Sequence, residues 1–222
     1  MSRRHLAGRV LSAAGLMVIG AVAAMLLLGA GRAADRAPIP AAGPVDVGFS
    51  QDMIAHHQQA VTMAQTVRGR VSPPVAQLAS SIELNQTREI GQLQGWLMLW
   101  NAPQVPSGPP MTWMAADRAG HSGHRRATDA DVVMPGMASQ QEVNRLGELT
   151  GEDADAWFLQ LMIRHHQGGL AMTTAAARDA TSPQVRALAT LMTTEQHKEV
   201  ATMAGLLDAL GRRPLPAPTS HR

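Results

Sequence analysis

"DMIAHHQQAVTMAQ", residues 52–65, reads as one helix in which Met53, His56, Ala60 and Met63 recur at threes and fours on an apolar face. Two adjacent histidines, His56 and His57, stand within or beside that face. A second stretch, "QLMIRHHQGGLAMTTA", residues 160–175, sets His165 and His166 between Met162 and Met172 at the same spacings. The likeness extends outward. Asp46, Phe49, Met53, Ile54, His56, His57, Gln58 and Met63 recur 109 positions later as Asp155, Phe158, Met162, Ile163, His165, His166, Gln167 and Met172. After a one-residue insertion, Pro73, Val75, Leu78, Gln86, Glu89 and Ile90 recur as Pro183, Val185, Leu188, Gln196, Glu199 and Val200.

Each half therefore predicts a pair of helices. Phe49, Met53, His56, Ala60, Met63 and Val67 mark the inner face of the first helix. Val75, Leu78, Ile82, Gln86, Glu89, Leu93 and Trp96 mark that of the second. "RGRVSPP" separates them, with Ser72 as N-cap and Pro73 at the first helical position. Two hairpins with matching apolar stripes bury them best against each other, giving an all-α four-helix bundle with one long crossover. The expected boundaries are a leader over 1–31, a Pro- and Ala-rich linker over 32–45, a bundle over 46–211 and a tail over 212–222. Within the bundle the hairpins take 46–100 and 153–211, and a Pro- and Gly-rich loop takes 101–152, ending in a short helix capped by Ser139 with Glu142. The hairpins read as complete without residues 104–133, which makes that segment dispensable for folding. Asp46 and Asp155 read as N-terminal caps.

Composition excludes several functions. The pI of about 10.3 accompanies a formal net charge of only +2. With one lysine, no cysteine and no tyrosine, almost nothing titrates between neutrality and arginine. No lysine-rich run or aromatic platform points to nucleic acid. The absence of cysteine removes disulfides, thiolate metal sites and a cysteine nucleophile. Arg3, Arg4 and Arg9 precede an uncharged, mostly apolar run over residues 10–30, long enough for a membrane anchor and also readable as an export signal. Either way positive charge stays inside, so the bundle faces out of the cytoplasm from the membrane, or is secreted or periplasmic if the leader is cleaved.

Imidazole suits copper, zinc, iron and nickel, and thioether sulfur selects Cu(I). His56, His57, His165 and His166 with Met53, Met63, Met162 and Met172 thus favour a copper ion, other transition metals being the alternatives. Methionine at helical spacing is also a common core filler, so Met63 and Met172 carry both readings. Glu89 and Glu199 fit either as ligands or as hydrogen-bond acceptors that orient the imidazoles. His197 is a further candidate ligand, without a counterpart in the first half, where Thr87 stands. The loop adds Met111 with Met114, His121 with His124, and Met134 with Met137, each at a spacing of three, as weaker candidates for metal capture. Di-iron bundles use Glu-x-x-His, whereas this chain has Met53-x-x-His56 and Met162-x-x-His165. A soft donor replaces a hard one, which argues against iron and oxygen chemistry.

"FSQDMIAHHQQAVTMA", "MPGM", "WFLQLMIRHHQGGLAMTTAA" and "EQHKEVATM" resemble the domain of unknown function 305 family, over roughly residues 46–211. The resemblance implies a ferritin-like bundle, export, and an association with copper binding and tolerance, with the paired histidines and flanking methionines as the family's motif. The expected function is copper binding and buffering without turnover, with metal ions as cargo and a second copy or a metal-handling protein as further partner. The rivals are a ferritin-like metal oxidase and a metal-free helical interaction module.

Overall fold

The computed structural model describes residues 21, 22, 24, 25, 41–114 and 134–218. The leader, apart from those four helical residues, and the pair His121 and His124 lie outside the described residues. Among the described residues no helix is long and apolar enough to cross a membrane.

The described residues hold no strand. Four long helices, α1 (Pro44–Thr66), α2 (Pro73–Leu99), α4 (Gly151–Asp179) and α5 (Pro183–Ala209), accompany one short helix, α3 (Gln140–Glu148). Helix α1 packs on α2, α4 packs on α5, and the hairpins meet through α1 and α4. Proline at the start of α1, α2 and α5 fixes the backbone where the N–H would have no partner. The expected Ser139–Glu142 capping box starts α3.

The apolar stripes divide into two cores. One takes Ala60 and Met63 from α1 with Val67 just past its end, Val75 and Ile82 from α2, Phe158 and Met162 from α4, and Met203 and Leu207 from α5. The other takes Phe49 and Met53, then Leu93 and Leu97, then Met172 and Ala176, then Val185 and Met192. Along every long helix a polar stretch separates the two: His56 and His57, Gln86 and Glu89, His165 and His166, Gln196 and Glu199. The bundle therefore carries a polar layer at mid-height between two apolar ones. On α2 the inward positions run through Ala79 and Leu97, leaving Leu78 and Trp96 half-buried.

The aspartates cross between hairpins. Asp46 accepts from Gly43 N–H in its own first turn at 2.7 Å, and also from Ser182 N–H at 2.9 Å at the head of α5. Asp155 accepts from Ser72 N–H at 2.9 Å, at the head of α2. Helix α4 begins at Gly151, so Asp155 sits a turn inside it and serves the head of α2 in the opposite hairpin rather than that of its own helix.

Helix α1 starts at Pro44 and α4 at Gly151, each two residues before the expected edge. The tail is docked, with Arg213 C=O accepting from the Gln160 side chain at 2.6 Å and Leu215 packed on a core. The start of the loop packs on the bundle, contacts the sequence did not signal. Trp113 lies edge-on to Phe49 with ring centroids 5.8 Å apart, against Gly48, where a side chain would collide with the indole. Asp52, almost fully buried, accepts from Met111 N–H at 2.7 Å and Trp113 Nε1–H at 2.8 Å. Burial raises the Asp52 carboxyl above its ordinary range, opposed by those two donors.

Candidate metal centre

The four histidines of the repeated motif are at most 1% exposed. They reach this depth because residues three and four apart share a helix face, and α1 and α4 turn those faces to each other. The imidazoles of His56 and His165 stack across the hairpin interface with centroids 3.8 Å apart and planes inclined by 37°. His57 and His166 flank them, at 6.4 Å from His56 and 6.1 Å from His165 respectively.

The hydrogen bonds fix the tautomers. His56 Nε2 lies 3.2 Å from the Pro135 carbonyl and His165 Nε2 lies 3.0 Å from the His56 carbonyl. A carbonyl only accepts, so both Nε2 atoms carry the proton. His57 Nε2 lies 2.9 Å from Glu89 Oε2, and His166 Nε2 lies 2.6 Å from Glu199 Oε2. A carboxylate likewise accepts a hydrogen bond from Nε2–H. A neutral imidazole held this way presents a bare Nδ1 lone pair, and all four Nδ1 atoms are buried without a partner. Desolvation, with the neighbouring histidines next, pushes His56 down to about 3, and His165 well below its ordinary value. Both are neutral at physiological pH, the form that binds metal.

Met53, Met63, Met162 and Met172 are all fully buried. Met63 and Met162 belong to one apolar core and Met53 and Met172 to the other, so a thioether pair stands on each side of the imidazole layer. Glu89 and Glu199 meet the histidines as acceptors. Among the described residues no three His, Asp or Glu side chains converge closely enough to hold an ion by themselves. His197 is not brought to this layer: it is exposed, with Nδ1 donating to Thr193 C=O at 2.7 Å. It follows Gln196, whose side chain is the inward one, and one residue along a helix turns by about 100°.

The loop motif "MPGM" contributes through its backbone. Pro135 C=O holds His56, while Met134 packs half-buried on a core and Met137 N–H closes a turn to Met134 C=O at 3.3 Å. Gln59 Nε2 and Oε1 clasp Ala138 C=O and N–H at 2.8 and 2.7 Å. Gly168, at the repeat position of Gln59, lies so close to Pro135 that any side chain there would collide with its carbonyl. Gly136 has a φ of +81°, open to glycine, and runs against the α4 backbone at Arg164 and His165. Sequence reasoning missed Gln59, Pro135 and Gly168. The signal was present, because the repeat breaks at this point: Gln59–Ala60 becomes Gly168–Gly169.

Residues 46–207 match the family described as Domain of unknown function (DUF305). Among solved structures, a DUF305 protein of Streptomyces coelicolor, inferred to be secreted, is 38% identical over 78% of this chain and 97% of its own, with a TM-score of 0.69. A DUF305 fragment from Deinococcus radiodurans is 36% identical over 77% and 99%, with a TM-score of 0.61. CopM in its Cu(I)-bound form is 22% identical over 74% and 96%, with a TM-score of 0.55, a likeness of fold. No curated protein matches the chain.

Proposed function

The chain belongs to the DUF305 family, and on that premise we propose that its bundle binds copper ions as cargo, favouring Cu(I), through the buried imidazoles and their flanking thioethers. The observation that carries this reading is the shared pattern of the four histidines. Each has Nε2–H committed to a carboxylate or carbonyl and Nδ1 bare and buried. Metal-binding histidines are held this way, one ring nitrogen fixed by an oxygen acceptor and the other on the ion. Thioethers beside imidazoles favour Cu(I), and CopM, similar in fold, is a copper-bound protein.

A metal-free core network explains the pattern less well. A buried polar atom with no partner costs about 1–3 kcal/mol, so four would cost on the order of 4–12 kcal/mol. That is comparable to the whole stability of a domain, about 5–15 kcal/mol. An oxidase reading draws on Glu89 and Glu199, but both carboxylates are engaged in orienting His57 and His166. Binding without turnover, outside the cytoplasm, fits the export-type leader and a relative inferred to be secreted. The test is thermal unfolding of untagged protein with and without Cu(I) under anaerobic conditions. A ligand that binds only the native state raises the midpoint, by about 2.7 kcal/mol of stability at a hundredfold excess over Kd. An unchanged midpoint contradicts the reading.

A further inference from the structure

Between α2 and α5 the surface opens into a cleft of about 280 Å³ whose lining includes Gln86, Arg88, Glu89, Glu195, Gln196 and Glu199. Three carboxylates against one guanidinium give it a net negative lining. Two of those carboxylates, Glu89 and Glu199, hold the Nε2–H groups of His57 and His166, so they stand between the cleft and the imidazole layer. Gln86 and Gln196 are repeat-related, each 4% exposed, and each carries a buried amide oxygen with no hydrogen-bond partner. The Gln196 oxygen reaches toward Gly169, where a Cβ would lie 2.7 Å from it and 3.3 Å from Cε1 of His56. One glutamine of the cleft thus approaches the same point of α4 as the His56 imidazole, and only a residue without a side chain leaves that point open.

We propose that this cleft is the port through which a hydrated divalent cation, Cu(II) in the test below, enters the bundle, with the amide oxygens of Gln86 and Gln196 replacing part of its water on the way to the imidazoles. The proposal rests on the metal-binding reading of the histidines. The donors met along the route run from carboxylate to amide oxygen to bare imidazole nitrogen, that is from hard toward softer. The carboxylates do not converge to strip an ion, which suits an aquated one held through its water shell. No redox step is involved, since imidazole nitrogen binds Cu(II) as well as Cu(I).

The test has two arms. In the first, wild-type protein is titrated with hexaamminecobalt(III), whose inert shell imitates a hydrated cation and does not exchange for imidazole. The side-chain amide signals of Gln86 and Gln196 should shift in the NMR spectrum, and the cobalt complex should slow uptake of Cu(II) measured by stopped-flow tryptophan fluorescence. In the second arm, Gln86→Leu with Gln196→Leu should slow uptake about tenfold, the equivalent of one lost hydrogen bond of roughly 1.4 kcal/mol, with equilibrium affinity kept. Should that pair fail to fold, Gly169→Ala, which closes the point shared by Gln196 and His56, replaces it and should also slow uptake. Amide signals unmoved by the cobalt complex, or uptake at wild-type rate in a folded variant, overturns the port while leaving the histidine site standing if Cu(II) still binds. Absence of copper binding by wild type defeats the histidine site instead, and the amide shifts then decide alone whether the cleft takes a cation.

Discussion

His56 and His165 meet across the interface of the two hairpins, with ring centroids 3.8 Å apart and planes tilted by 37°, and His165 Nε2–H donates to the main-chain carbonyl of His56 at 3.0 Å. The repeat thereby meets itself at its own signature residue. Two imidazoles this close and this deep cannot both take up the second proton that makes an imidazolium, because each charge would be desolvated and would repel the other.

Acid should therefore destabilise the metal-free protein in a defined window. The folded-state value of His56 is about 3, against an ordinary 6.5 in the unfolded chain. Below 6.5 the unfolded state binds the extra proton, so stability is full above that pH, falls as pH drops, and levels off near 3. From His56 alone the loss is on the order of 3 kcal/mol by pH 4. Urea denaturation at pH 7, 5.5 and 4 checks it, and equal midpoints at all three would refute it.

Two kinds of glycine should respond oppositely to alanine. Gly168→Ala places a methyl group on the Pro135 carbonyl, forcing "MPGM" away from α4, and should cost roughly 1–3 kcal/mol. Gly91→Ala and Gly95→Ala face open space on α2 and should each stabilise by roughly 0.5–1 kcal/mol. Thermal denaturation of the three variants distinguishes the cases.

Trp113→Ala should cost roughly 3 kcal/mol or more, because it removes the ring packed on Phe49 and one of the two donors that satisfy buried Asp52. Chemical denaturation measures the loss. A change below 1 kcal/mol would agree with the expectation that residues 104–133 are dispensable for folding.

The fold was readable because the periodicity and the repeat agree: each apolar stripe and each polar interruption occurs twice, as does the proline start of the second helix of each hairpin, Pro73 and Pro183. Met53, Met63, Met162 and Met172 fall where the spacing put them. The loop resisted reading because its contacts are made by backbone atoms and by residues on the back of α1, such as Gln51, Asp52 and Gln59, whose partners lie more than fifty residues away. No local pattern encodes that pairing. His197 misled for a simpler reason, since metal-binding chemistry in a residue type says nothing of the direction in which one step of a helix turns it.

Glu89→Gln and Glu199→Gln should each weaken copper binding by about 10- to 100-fold without unfolding the bundle. Glutamine keeps the shape and loses the charge that draws on His57 or His166. The repeat relates the two carboxylates, so the factors should be similar. Competitive titration against a chromogenic chelator measures both, and unaltered affinity in either variant would deny that carboxylate its orienting role.

The most direct measurement is an anaerobic competitive Cu(I) titration of wild type beside His56→Leu with His165→Leu, the folding of both verified by circular dichroism. The double variant removes the stacked pair and keeps the apolar volume. It should lose the tightest site, with affinity falling by more than about 100-fold, beyond the effect of losing an outer partner alone. A folded double variant that holds Cu(I) as tightly as wild type would show that these imidazoles are core residues and that the bundle does not bind copper through them.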